Sequence, residues 1–112
     1  MRLSDVVERL GLEVLARGNP EREVNWAYTS DLLSDVMAGA QPGDMWLTIQ
    51  RHMNIVAVAK LRDLTGIVLA KGIKPAQEVV DKAREEGIAL MVSDKPLFEL
   101  CGELYQLLRG RG

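Results

Sequence analysis

GIVLAKGIKPAQEVVDKAREEGIALMVS, residues 66–93, is the stretch on which the fold turns. Ile67-Val68-Leu69-Ala70 and Ile88-Ala89-Leu90-Met91-Val92 are short, unbroken apolar runs. Such runs suit strands covered on both faces, as in a parallel sheet. Between them Pro75 suits the first turn of a helix, and Gly87 stands where that helix would stop. A right-handed crossover is the default connection for such a unit. Parallel sheets take ligands outside the carboxyl ends of their strands. The stretch therefore predicts where a site would lie, without saying what chemistry occurs there.

Working towards the amino end, Met53 to about Leu61 reads as a very apolar, largely buried helix carrying Ile55, Val56, Val58 and Ala59. Met45-Trp46-Leu47-Thr48-Ile49 is a further buried strand, after the turn Gln41-Pro42-Gly43-Asp44. Ser30 or Asp31 is the expected cap of a helix reaching about Ala38. In Glu23–Thr29, Val24, Trp26 and Tyr28 alternate with Asn25 and Ala27, which predicts a strand with one drier face. Gly18-Asn19-Pro20 is a turn, Glu13 to Ala16 a short strand, and Ser4 to Gly11 a capped opening helix. Towards the carboxyl end a last helix is expected from about Pro96 to Leu108. Leu97, Phe98, Cys101, Leu104, Tyr105 and Leu108 form its apolar stripe. Arg109 to Gly112 reads as a frayed tail. The expected fold is α/β, a single three-layer domain over residues 1–112 with a small, mostly parallel sheet flanked by helices.

Composition narrows the function classes. The chain has 112 residues, 47% hydrophobic and 27% charged, as expected of one globular domain. Its formal net charge of −2 gives no global basic character for nucleic acid. No apolar run approaches the roughly 20 residues of a membrane span. MRLSDVVERLG has no long apolar stretch and does not read as a signal peptide. Cys101 is the single cysteine, so no internal disulfide forms, and this usage fits a reducing cytoplasm.

If the strands are parallel, their carboxyl ends gather polar residues. Thr29, Ser30 and Asp31 follow one strand; Thr48, Gln50, Arg51 and His52 follow the next. Lys71 and Gly72 follow Ala70, and Ser93, Asp94 and Lys95 follow Val92. Each group precedes a helix, where free backbone N–H groups favour an anion. The candidate ligand-binding set is Thr29, Ser30, Asp31, Thr48, Arg51, His52, Lys71, Gly72, Ser93 and Asp94, facing a phosphate or nucleotide. Each residue also has a plain structural use: Ser30, Asp31, Ser93 and Asp94 as caps, Gly72 in a turn with positive φ. No catalytic residue, metal site or cofactor is assigned. His52, the single histidine, has no nucleophile or triad partner nearby in sequence, and no P-loop or G-x-G-x-x-G occurs. Cys101 falls on the apolar stripe as a small hydrophobe. Gly102, inside the last helix, implies close approach by another helix, from this subunit or another.

IVLAKGIKPAQEVVDKAREEGIALMVSDKPLFELCGELYQLL resembles the end of DRTGG domains and is similar to the N-terminal domain of bacterial HPr kinase/phosphorylase. LSDVVERLGLEVLARG resembles the usual opening helix and strand, and YTSDLLSDVMAGAQPGDMWLT the middle of small stand-alone DRTGG proteins. The resemblance covers roughly Leu3 to Leu108. Gln50-Arg51 stands where relatives often carry Asp-Arg, and Ala70-Lys71-Gly72 where Thr-Gly-Gly is common, so only Arg51 and Gly72 carry over. The resemblance implies an α/β fold like that of the kinase's non-catalytic N-terminal domain. It also implies a regulatory role, because DRTGG domains occur beside CBS or acetyltransferase domains and often self-associate. Stand-alone relatives tend to be encoded near iron-only hydrogenases. The expectation is a non-catalytic, homodimeric, cytoplasmic module that senses a small anion. A patch drawn from Leu32, Leu33, Met37, Met53 and Leu104 would hold the dimer. The alternatives are an accessory subunit of a redox enzyme, with a protein partner, and a phosphotransfer enzyme using His52 or Asp31.

Overall fold

The computed structural model describes residues 1–110. In chain order its elements are α1 (Leu3–Leu10), β1 (Glu13–Ala16), β2 (Trp26–Thr29), α2 (Leu33–Gly39) and β3 (Asp44–Thr48). There follow α3 (Asn54–Leu61), β4 (Gly66–Leu69), α4 (Gln77–Glu86), β5 (Ala89–Val92) and α5 (Leu97–Arg109). The strands form one sheet in the order β1-β5-β4-β3-β2. β2, β3, β4 and β5 run parallel, while β1 lies antiparallel to β5.

Every residue of β3, β4 and β5 is buried, which is why, apart from Asp44 and Thr48 at the two ends of β3, those runs are apolar without alternation. Their side chains alternate between two cores. Trp46, Ile67, Leu69 and Leu90 pack with Val36, Ile55 and Val80 of α2, α3 and α4. Met45, Leu47, Val68 and Met91 pack with Val6 of α1 and with Leu100, Leu104 and Leu108 of α5. The three layers are therefore α1 and α5, the sheet, and α2 with α3 and α4. Gly18 shows how tightly the β1 end is built. Its φ is +59°, and a Cβ there would stand 2.5 Å from the Ala89 backbone nitrogen; only glycine fits.

Several boundaries differ from the sequence reading. The N-cap of α1 is Arg2, not Ser4: Asp5 Oδ2 accepts from the Arg2 N–H at 3.0 Å, and the Ser4 N–H donates to the Pro20 carbonyl. Pro75 lies outside α4, because Ala76 keeps an extended ψ of 153° and the helix opens at Gln77. Gly87 does stop it, with φ +69°. The α3 residues Ile55, Val56, Val58 and Ala59 are buried as expected, but Leu61 is exposed. Trp26 is not on a drier face. β2 is an edge strand, and Trp26 remains 43% exposed, packing edge-on against Tyr105 with ring centroids 5.6 Å apart.

The stripe on α5 resolves into two faces. Leu104 and Leu108 point into the core beside Leu100, which the expected stripe did not include, whereas Phe98 and Tyr105 are exposed and Cys101 is half-buried. Leu104 thus belongs to the core and not to a surface patch. Among the described residues nothing lies within 4 Å of a Cβ built on Gly102, so no helix of this chain explains that glycine. Arg109 is the last residue of α5, against the expected fraying there; residues 111 and 112 lie outside the described range.

Tyr28 joins β2 to α2, its hydroxyl donating to Asp35 Oδ1 at 2.9 Å. That hydrogen bond, helped by partial desolvation and the Asp35 charge, raises the phenol pKa above its ordinary value near 10.0. A raised folded-state pKa means the contribution is complete below the ordinary value and is lost as pH climbs through the folded one. Ultraviolet titration is expected to show one phenolate transition above the ordinary range. Tyr28→Phe should remove it, and Asp35→Asn should lower it. A transition indifferent to Asp35→Asn would refute the assignment.

Candidate functional site

Because β2 to β5 are parallel, the loops at their carboxyl ends emerge along one edge, in the strand order β5, β4, β3, β2. The edge is organised by two sets of hydrogen bonds. The first ties β2 to β3. Asp31 Oδ1 accepts from Thr48 Oγ1 at 2.7 Å and from the Ile49 N–H at 2.9 Å. Thr48 Oγ1 in turn accepts from the Gln50 N–H. Trp46 Nε1 donates to the Ser30 carbonyl at 2.8 Å. Asp31 is therefore a bridge between strand ends and not a helix cap; the N-cap of α2 is Leu32, whose N–H donates to Ser30 Oγ.

The second set ties β4 to β5. Lys71 and Gly72 both have positive φ, +62° and +65°, and the Ile73 N–H returns to the Ala70 carbonyl. This is the pattern of a tight turn with two left-handed central residues. It aims the Lys71 N–H at the Lys95 carbonyl and the Gly72 N–H at the Ser93 carbonyl, each at 2.8 Å. The buried Ser93 hydroxyl accepts from the Lys95 N–H. These backbone donors are spent within the protein, contrary to the expectation that they point freely into a site. Glycine suits position 72 by its φ of +65°, and a Cβ there would come 3.3 Å from the exposed Asp94 Oδ1.

Side chains, not backbone donors, are what the edge offers. Arg51 and Lys71, on the loops after the adjacent strands β3 and β4, are exposed and have no ion-pair partner among the described residues. The neighbouring cations are engaged, Lys95 with Glu103 and Lys74 with Glu13. The Asp94 carboxylate is exposed beside Gly72. His52 lies on the same loop as Arg51, and its Nδ1 accepts from the Asn54 N–H at 3.2 Å, capping the start of α3. Among the described residues no carboxylate is hydrogen-bonded to that ring. Thr29 stands apart on the α5 side, its Oγ1 3.2 Å from Cys101 Sγ.

Gln50 was absent from the candidate set and is structurally central: its Oε1 accepts from the His52 N–H and its Nε2 reaches the Asp31 carbonyl. A polar residue two positions beyond a buried threonine was the available signal. Among the described residues no group of three or more His, Cys, Asp and Glu is placed to hold a metal. None of their helices is long and apolar enough to cross a membrane.

No family model and no curated protein matches the chain. Among solved structures it is similar to the CBS and DRTGG domains of the regulatory region of Clostridium perfringens pyrophosphatase, complexed with the activator diadenosine tetraphosphate. The TM-score is 0.71 at 14% identity, covering 92% of this chain and 45% of that one. At that identity the likeness is one of fold. The chain spans less than half of a solved structure that contains a DRTGG domain.

Proposed function

We propose that this chain is a non-catalytic regulatory module, a cytoplasmic homodimer of the DRTGG type. In this reading it senses a small anion, a nucleotide or phosphorylated metabolite, at the carboxyl edge of its sheet. The observation that carries the reading is the pair Arg51 and Lys71, unpaired on adjacent loops at the edge where parallel sheets take ligands. The loops beneath them are already latched, so a ligand would meet a prepared surface. The similar pyrophosphatase region, complexed with a nucleotide activator, supports the same reading.

Thermal-shift screening against nucleotides, diadenosine polyphosphates and phosphorylated sugars tests it. A ligand at a hundredfold excess over its Kd is expected to add about 2.7 kcal/mol of apparent stability. Arg51→Ala and Lys71→Ala should each weaken that ligand roughly tenfold, the loss of one charge-assisted hydrogen bond. No shift with any anion, or a shift unchanged in the double variant, would remove the sensing claim.

The exposed aromatic surface of Phe98, Tyr105 and Trp26 favours a second reading, an accessory subunit that docks on a redox enzyme such as an iron-only hydrogenase. Recovery of such an enzyme with the tagged chain from native lysate would support it. A chain that elutes alone would set it aside.

A further inference from the structure

A hollow of about 390 Å³ lies between β2 and α5, walled by Trp26, Thr29, Phe98, Cys101, Gly102 and Tyr105. Small-molecule sites usually hold about 300–1,000 Å³. No charged side chain among the described residues lines this one. At about 100° per residue, Phe98, Gly102 and Tyr105 fall on one side of α5, and all three are exposed. Two rings with bare backbone between them suit a flat, uncharged group, because glycine lets a ligand approach the chain closely. Nucleobases stack on aromatic side chains in this way. Thr29 Oγ1 and Cys101 Sγ, 3.2 Å apart, are the polar atoms beside the rings.

Charge selects the occupant. One end of the hollow reaches the carboxyl edge of the sheet: Thr29 is the last residue of β2, and Phe98 lies in the first turn of α5, just after the loop leaving β5. Arg51 and Lys71 stand on the loops after β3 and β4, exposed and with no ion pair among the described residues. Neighbouring strands lie about 4.8 Å apart, so these loops come one and two spacings beyond β2, about 5 and 10 Å. A ligand anchored in the hollow meets Arg51 first and Lys71 second. Of the nearby carboxylates, Asp31 is held by Thr48 and the Ile49 N–H, Asp94 follows β5 on the far side of β4, and Glu99 lines the opposite flank of α5. One phosphate serves the first loop; a chain of phosphates serves both. We propose that the hollow takes the base of a nucleoside polyphosphate, with its phosphate chain running along the edge to Arg51 and Lys71. This rests on the anion-sensing reading and names its ligand class, a flat ring joined to a chain of charge, in place of a phosphorylated sugar.

Calorimetric titration of the full chain, without divalent cations, compares ATP, AMP, tripolyphosphate and ribose 5-phosphate. ATP is expected to bind tightest, with AMP and tripolyphosphate each weaker by about tenfold or more. Phe98→Ser, at a position already 86% exposed, should bring ATP to the level of tripolyphosphate and leave tripolyphosphate unchanged. Gly102→Leu, which favours the helix, should do the same by filling the space between the rings. ATP should also quench the fluorescence of the exposed Trp26; tripolyphosphate should not, and Trp26→Phe should abolish the signal. AMP or tripolyphosphate binding as tightly as ATP, or ATP indifferent to both Phe98→Ser and Gly102→Leu, overturns this assignment and leaves the anion reading standing. So does ribose 5-phosphate binding where ATP does not. A chain that binds none of the four overturns both.

Discussion

Trp46→Ala is expected to cost about 4–5 kcal/mol, the largest single effect in this chain. Truncating a fully buried Trp typically costs about 3–5 kcal/mol, through lost transfer free energy and the cavity left behind. Trp46 is 0% exposed, in β3, an interior strand between β4 and β2. It also holds the Ser30 carbonyl through Nε1 at 2.8 Å, and losing that donor adds about 1 kcal/mol. Domains of this size are stable by about 5–15 kcal/mol, so the variant would sit near the edge of folding. Urea unfolding followed by circular dichroism measures the loss. Trp46→Phe, which keeps most of the volume but not the donor, should fall by about half as much. A Trp46→Ala protein within about 1 kcal/mol of the parent would refute the account of this core.

Asp31→Ala is the second, at about 2–3 kcal/mol, a large loss for an exposed residue. Surface substitutions usually lie within about 0.5 kcal/mol. Asp31 differs because Thr48, its donor, is 0% exposed, and the Thr48 hydroxyl would be left with no acceptor for its hydrogen. An orphaned buried donor costs about 1–3 kcal/mol. The Ile49 N–H also loses its acceptor, but it lies at the exposed edge where water replaces the carboxylate at little cost. Asp31→Asn retains an acceptor oxygen and should recover most of the loss. Amide exchange at Ile49 should quicken in Asp31→Ala and much less in Asp31→Asn. Because the loop tied down here carries Arg51, the same variant should weaken any rim ligand without touching it. Stability unchanged in Asp31→Ala would show that the bridge contributes nothing.

The candidate edge was legible in outline. Burial on both faces demands unbroken apolar side chains, so Ile67–Ala70 and Ile88–Val92 announce central parallel strands. Once those are parallel, the loops after them must share an edge. What could not be read was how the polar residues on that edge divide their hydrogen bonds. Asp31 and Ser30 look alike as helix caps, yet one bridges two strand ends and the other receives a local N–H. Lys71 and Gly72 look like anion-binding backbone, yet their N–H groups are consumed by the loop after β5. On α5, helical spacing put Phe98 and Tyr105 in one apolar stripe with Leu104 and Leu108 and could not separate them. Adjacent faces of a helix differ only by what lies opposite.

By itself the sequence determined the strands, the glycine that stops α4, and the layering of helices on a mostly parallel sheet. Those follow from local burial and backbone preference, which each segment carries within itself. Tertiary structure alone decided that Arg51 and Lys71 carry no ion pair among the described residues, that Trp26 and Phe98 face outward, and that no described residue approaches a Cβ built on Gly102. Each of those depends on partners distant in sequence, as Asp31 and Thr48 are, 17 residues apart. A hydrogen bond or a packing contact is specified by position in space, and only the assembled sheet supplies that position.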